Sequence, residues 1–174
     1  MSRLLSSVWF ILVIGCGGFT FGTEVKGEMV ITGNAARPPL NVFPALGGLN
    51  DLDFNANREF QNERVTRDRV TGVAVESVTF KVLSPSDQDF TFLNSLQLVA
   101  RAGDQELLFA DKQNIDGLAL MAPNPALSLE LKMVDLTPFV TAPIVSLVLR
   151  GKGTQPTKDT RLEVRVKLRV SASH

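Results

Sequence analysis

The sequence is poor in the residues that build disulfides, metal centres and most hydrolytic sites. Its 174 residues include one cysteine, Cys16, and one histidine, His174. A single cysteine excludes a disulfide within the chain, and a lone histidine at the last position cannot complete a Ser-His-Asp set or a metal site. The sequence therefore predicts a protein without cofactor or metal that is not an enzyme, leaving carboxylates as the groups available for acid–base chemistry.

Aromatic side chains with a polar handle are also scarce. The chain has no tyrosine, and its only tryptophan is Trp9. Sugar platforms and many interface hot spots use Trp or Tyr, so both readings are disfavoured. Basic and acidic residues number 18 each, so no net charge attracts nucleic acid.

The first sixteen residues carry the most specific motif in the chain. Arg3 precedes an apolar run from Val8 to Ile14, and the run ends at Val13-Ile14-Gly15-Cys16. Because a membrane helix needs about 20 apolar residues, the run predicts an export signal and not a span. It resembles the signal peptide of bacterial lipoproteins, in which Leu or Val, a variable residue, Gly or Ala, and Cys follow in that order.

This resemblance implies a lipid anchor. Residues 1–15 would be removed as a signal peptide, and Cys16 would carry diacylglycerol on its sulfur and an acyl chain, such as palmitate, on its amine. Gly17 stands where some bacteria place an Asp for inner-membrane retention. The resemblance thus implies a protein of the bacterial cell envelope, at the outer membrane under that rule, with the membrane as its first partner.

The rest of the chain divides into a short tether and one domain. Glycines at positions 17, 18, 22 and 27 predict a flexible tether over residues 16–27. Residues 28–174 are of the usual size for a single domain. Without a disulfide, this domain must be held together by its hydrophobic core alone.

Period-two alternation of apolar and polar residues predicts an all-β domain. It is complete from Arg161 to Val170. The run Ile144–Leu149 is instead nearly all apolar, as expected for a strand inside a packed sheet, and Gly103-Asp104 is typical of a hairpin turn. Further strands are predicted at residues 29–32, 51–57, 73–83, 96–100, 107–109 and 127–133. Seven or eight short strands predict an antiparallel β-sandwich, immunoglobulin-like or a related Greek key, with a small barrel as the second choice.

Two acidic segments are weak candidates for chemistry. Asp51, Asp53 and Asn55 alternate as at the start of a calcium loop, but Ala56 and Asn62 stand where that loop needs Gly and Glu. The same residues are explained by the wet face of a strand. Asp87 and Asp89 form a second acidic loop, in which Phe90 and Phe92 are expected to plug the end of the sandwich.

A candidate patch for an anionic partner lies near the C-terminus. If the last two strands form a hairpin, six cations gather on one face: Arg150, Lys152, Arg161, Arg165, Lys167 and Arg169. Such a patch could meet lipid headgroups or an acidic partner. The plainer interpretation is a solvated face whose charges prevent edge pairing.

These observations favour a lipid-anchored structural or protein-interaction module whose partner is another envelope protein, not nucleic acid. The alternative is a carrier of lipid or a small ligand, with the loop around Leu40, Val42, Phe43 and Leu46 as a lid over a cavity. A hydrolase that uses Asp53, Asp87 or Asp89 is the third and weakest hypothesis.

Overall fold

The computed structural model describes residues 17–173 as two antiparallel sheets packed face to face. The predicted signal peptide, Cys16 and His174 lie outside the described residues. In chain order the strands of the described part are β1 (Phe19–Ile31), β2 (Pro39–Leu40), β3 (Val70–Ser84), β4 (Leu93–Ala102), β5 (Gln105–Lys112), β6 (Ala126–Ser128), β7 (Glu130–Leu131), β8 (Ser146–Thr154) and β9 (Thr160–Ala172). No helix within residues 17–173 has the length and hydropathy of a membrane span.

The helices of the described residues are short and lie in the connections. They are α1 (Arg58–Asn62) and α2 (Thr137–Val140), with 3₁₀ turns at Phe54–Ala56, Arg67–Arg69 and Ile115–Leu118. A single helical turn follows Asp135, whose carboxylate accepts a hydrogen bond from the Thr137 N–H at 2.8 Å. The predicted turn at Gly103-Asp104 does join β4 and β5 as a hairpin.

The strand order is that of a nested double Greek key. One sheet, here called sheet A, has the order β1-β9-β3-β6, and sheet B has the order β2-β8-β4-β5-β7. The first strand therefore pairs with the last, and the second with the last but one, which is the arrangement of a jelly roll. The predicted β-sandwich is confirmed in its Greek-key form, with nine strands because β2 and β7 add two residues each.

The alternating strand β9 lies at the centre of sheet A between β1 and β3. Its apolar residues Leu162, Val164, Val166, Leu168 and Val170 are all buried, while its basic residues point outward. Each buried side chain of this size contributes about 1.5–3 kcal/mol of transfer free energy, so β9 is the main organiser of the core.

The predicted tether is wrong from Phe19 onward. Residues 19–27 belong to β1, which pairs with β9 along its whole length. The inward positions include Val25, Gly27 and Met29, and the glycine interrupts the apolar pattern that would otherwise reveal a strand. A Cβ on Gly27 would lie 2.6 Å from Leu49 Cγ, so the buried Leu49 side chain occupies the space that a larger residue would need.

The predicted strand over residues 51–57 is also wrong. This segment forms a bridge at Leu52, a 3₁₀ turn from Phe54 and then α1. Asp53 and Asn57 use their side chains as helix caps, accepting from the N–H groups of Asn55 and Glu59. Asp and Asn favour such caps over strands, and this preference outweighs the short alternation.

One predicted strand, residues 127–133, is divided between the sheets. Its first part, β6, pairs with β3 in sheet A, and its second part, β7, pairs with β5 in sheet B. The chain changes sheets at Leu129, whose N–H still bonds to the Val78 carbonyl at 3.0 Å. Alternation alone cannot reveal this change, because Leu127 and Leu131 occupy equivalent positions in the pattern although the first is buried and the second is exposed.

The two ends of the sandwich are closed differently. At the N-terminal end, where β1 begins and β9 ends, α1 inserts the fully buried Phe60 against Phe21, with ring centroids 5.2 Å apart. At the distal end, Phe90 and Phe92 are buried, as predicted for a plug. Loops at residues 32–38, 85–92 and 155–159 meet at that distal end.

Candidate interaction surfaces

The six cations of the predicted patch lie in two different sheets. Arg150 and Lys152 belong to β8 in sheet B, whereas the four remaining cations belong to β9 in sheet A. The expected hairpin is wrong because residues 155–159 cross from one sheet to the other. Since both sets point outward from opposite layers, they do not form one patch.

Carboxylates neutralise most of these cations. On sheet A, Arg161 bonds to Glu28 through Nε at 2.8 Å, and Arg169 bonds to Glu76 at 2.7 Å. Hydrogen bonding by Arg165 lowers the pKa of the Glu163 carboxyl. These contacts describe a solvated, charge-paired sheet face.

Sheet B is neutralised in the same way. Arg150 bonds to both oxygens of Glu106, at 2.9 and 2.7 Å, and Arg101 bonds to the same carboxylate at 2.6 Å. The hydrogen bonds from Arg150 and Arg101 lower the pKa of Glu106. Of the six cations, Lys152 is the one that has no ion pair among residues 17–173.

Two of the three weak calcium candidates use their side-chain oxygens within the protein. Asp53 caps the 3₁₀ turn and lies 3.4 Å from the Arg67 guanidinium, while Asn55 accepts from the Arg67 backbone N–H at 2.8 Å. Asp51 has a left-handed backbone and is joined to β8 through its N–H and the Ser146 hydroxyl. In the described part of the chain no three acidic, His or Cys side chains are grouped as metal ligands.

The acidic loop at the distal end is likewise built into turns. Asp87 forms an ion pair with Lys158 at 2.6 Å, and this hydrogen bond lowers the pKa of Asp87. Asp89 accepts from the N–H and the hydroxyl of Thr91. The lowered pKa of Asp87 is the reverse of what a general acid at neutral pH needs, and both contacts of Asp89 lie within its own turn.

The cavity that lies between the two sheets of residues 17–173 is too small for the ligand of a carrier. A cavity of about 10 Å³ lies between the sheets, among apolar residues such as Phe109 and Val166, and it is no larger than one water requires. Leu40 and Leu46 of the predicted lid are themselves buried in the core, and Val42 is exposed. Leu40 and Leu46 therefore pack as part of the sandwich.

A groove that was not predicted lies along the free edge of β3. It encloses about 590 Å³ between Gly72–Val75 on one side and Leu131–Asp135 on the other. It exists because β6 pairs only with the distal half of β3, at Thr79–Lys81. We call it the β3-edge groove.

The backbone of β3 is only partly satisfied inside this groove. The Val73 carbonyl accepts a hydrogen bond from the Leu136 N–H at 3.2 Å. The Val73 N–H donates to the Asp135 carboxylate, and this contributes to lowering the pKa of Asp135. Backbone groups alternate in direction along a strand, so Val75 presents its N–H and carbonyl to the same side as Val73. No neighbouring strand of residues 17–173 pairs with Val75 on that side.

The side chains around the groove are apolar or already paired. Met133 is fully exposed, and Leu131 retains 38% of its exposure. Lys132 lies 2.7 Å from Asp111, and Arg169 is held by Glu76. The groove therefore offers unpaired backbone groups and apolar contacts, and its two cations, Lys132 and Arg169, already have carboxylate partners.

No family model matches this chain. No curated protein matches its sequence either. Among solved structures, the chain is similar to Mud crab tombus-like virus, at 13% identity and a TM-score of 0.39, over 100% of this chain and 89% of that one. It is also similar to the BFDV capsid protein, at 7% identity and a TM-score of 0.40, over 90% and 99% of the two chains.

A structure from nora virus is similar at 11% identity and a TM-score of 0.34, over 100% of this chain and 66% of that one. At such identities and scores, these likenesses carry no inference about function. The description of this chain as a β-sandwich rests on its own strand order.

Sequence reasoning missed the β3-edge groove because its key residues look ordinary. Met133 occupies a position that alternation assigns to the core, yet it is fully exposed because the chain has changed sheets before it. A Met after such a sheet change has no distinct pattern. The groove follows from the unequal lengths of two strands, 15 residues in β3 and 3 in β6, and these lengths are known only from the structure.

Proposed function

We propose that this chain is a lipid-anchored protein of a bacterial envelope whose β-sandwich acts as an interaction module and not as an enzyme. The anchor is supported by the motif Val13-Ile14-Gly15-Cys16. The interaction role is supported by the β3-edge groove. Unpaired sheet edges accept an additional strand, in which main-chain hydrogen bonds give affinity and pockets for alternate side chains give specificity.

The occupant that fits this groove is an extended, largely apolar segment of a second envelope protein. Val75 supplies backbone groups for one or two hydrogen bonds, and Leu131 and Met133 supply apolar contacts. A charged small ligand fits less well, because Lys132 and Arg169 already have carboxylate partners. The carrier alternative finds no support in a core cavity of about 10 Å³.

The anchor is tested by metabolic labelling with a clickable palmitate. We expect the wild-type chain to be labelled in the envelope fraction, and Cys16→Ser to lose essentially all label. The reason is chemical, since Cys16 is the only thiol that can form the thioether. Equal labelling of both chains, or an unlabelled wild type that retains Met1, would remove the anchor from the proposal.

The interaction role is tested by a photo-crosslinking residue at Met133, with Val42 as the matched control. Both side chains are exposed, but Val42 lies in the loop after β2, outside the groove. We expect one discrete adduct at Met133, at least tenfold stronger than at Val42. Val75→Pro should abolish it, since proline removes the outward N–H.

The same experiment separates the alternatives. A melting temperature near that of wild type must accompany Val75→Pro, and Leu131→Asp, at another exposed apolar residue of the groove, provides a second route to losing the Met133 adduct without removing a backbone N–H. An adduct of twice the chain mass would make the groove a contact between copies. Equal adducts at both positions would argue against the groove as the docking surface, and acyl chains retained in native mass spectra would favour the carrier.

A further inference from the structure

Two arginines at the N-terminal end of the sandwich differ from those on the sheet faces, because within the described part of the chain they are not paired with carboxylates. Arg64 and Arg69 line a shallow pocket of about 350 Å³ together with Phe19, Glu63, Val65 and Ser173. Both arginines are exposed, and neither forms an ion pair with a carboxylate of residues 17–173. The nearby Arg67 differs, since it bonds to Asp53 and to the Pro143 carbonyl.

The backbone that carries these arginines is fixed to the core. Val65 and Val70 are buried on either side of the segment, and the Val65 N–H bonds to the Phe60 carbonyl at 2.9 Å. The Arg69 carbonyl accepts from the Ser173 N–H at 2.9 Å, which joins the segment to the end of β9. The two guanidinium groups therefore project from a defined position.

Acidic groups are present there but do not neutralise the pair. Glu63 lines the same pocket without forming an ion pair within residues 17–173. Asp68 has a lowered pKa, chiefly because of a hydrogen bond from the Thr66 side chain, with Arg69 and Arg67 as smaller causes. Asp68 does not line the pocket, so its lining holds two arginines and one carboxylate, Glu63, and has a net positive charge.

The position of the pocket in the chain decides what it meets. Phe19, the first residue of β1, lines the pocket and is three residues after Cys16. Three residues span at most about 10 Å. If Cys16 carries lipid, as the proposed function holds, this end of the sandwich lies at the headgroup layer.

We infer that Arg64 and Arg69 form a contact for anionic phospholipid headgroups that orients the domain on its membrane. Guanidinium groups bind phosphate through paired N–H donors, and each cation near an anionic surface strengthens attachment about fivefold. Glu63 opposes this contact by its charge. The contact holds the N-terminal end down and leaves the distal end facing away.

The lipidated protein in vesicles provides the test. A dye is attached at Asn62→Cys, an exposed position in α1, or at Ser86→Cys, an exposed position at the distal end, and is quenched by spin-labelled headgroups. A lipidated Cys16 has no free thiol and stays unlabelled. We expect strong quenching at Asn62→Cys and none at Ser86→Cys, in vesicles with about a third phosphatidylglycerol.

The charge variants should change docking in opposite directions, depending on the sign of the charge that is removed. A purely structural role of these residues would not produce opposite effects. Arg64→Gln and Arg69→Gln should each lower, about fivefold, the ratio of molecules whose N-terminal end contacts the headgroups to molecules in which it does not. Glu63→Gln should raise this ratio. Lys152→Gln, which removes an exposed cation of sheet B, should change nothing. Replacing phosphatidylglycerol with phosphatidylcholine should act like losing both arginines.

Two results would overturn the inference in distinguishable ways. If the protein stays in the vesicles but both dyes quench equally, or if the arginine variants behave like Lys152→Gln, the headgroup contact is absent while the anchor stands. If the protein is soluble and Cys16 reacts with a maleimide, the anchor itself fails and the contact fails with it.

Discussion

Val166→Asp is expected to prevent folding. Val166 is 1% exposed at the centre of β9, opposite Val25 of β1 and Val78 of β3. The adjoining cavity of about 10 Å³ is lined by apolar side chains and is too small to hydrate a carboxylate. We expect a loss of at least about 4 kcal/mol, comparable with the whole stability of a small domain.

The matched control makes the same substitution in the same sheet. Val30 of β1 is 51% exposed, so Val30→Asp places its carboxylate in water and should change stability by about 0.5 kcal/mol or less. Urea unfolding followed by circular dichroism measures both. A folded Val166→Asp with a midpoint near that of Val30→Asp would show that β9 does not organise the core.

Gly151→Ala is expected to be the second most damaging change, although it adds one methyl group. A Cβ at Gly151 would lie 2.2 Å from the Ser95 carbonyl oxygen and 3.1 Å from Leu96 Cδ2. The clash is with the β4 backbone at a register irregularity in the middle of sheet B, so no side chain can move aside. We expect a loss of about 3 kcal/mol, seen as a lower thermal midpoint.

Gly22→Ala is the control for this prediction. Gly22 also lies in a strand, but a Cβ there meets no atom within 4 Å. Alanine should be neutral or slightly stabilising, because it restricts the unfolded chain. Equal midpoints for the two alanine variants would mean that β4 and β8 can separate at little cost.

The parts of the fold that the sequence predicted are those that depend on local pattern. β9 alternates without a break, and its neighbours on both sides bury the same face, so pattern and structure agree. The β4–β5 hairpin follows from Gly103, whose positive φ suits a tight turn. Burial of Phe90 and Phe92 follows from their hydrophobicity.

The parts that the sequence did not predict depend on contacts distant in the chain. Position 27 of β1 is a glycine because Leu49 fills the space that a side chain would need. The sequence around Gly27 gives no sign of this contact with Leu49. Arg150 and Arg161 lie in different sheets because a five-residue crossing, 155–159, replaces a turn. A local pattern gives the face of a strand but not its sheet, so neither the patch nor the β3-edge groove could be placed.

The early start of β1 limits where an anchored domain could work. Gly17 and Gly18 are the only residues between Cys16 and a 13-residue strand, so an anchored sandwich would have no long flexible linker to its lipid. Its height is set by that strand, about 40 Å, and little else could extend it. Such a protein cannot reach partners farther from its own membrane than that height. Anything that it recognises must therefore be embedded in the same membrane or be brought close to it by a protein with a longer linker.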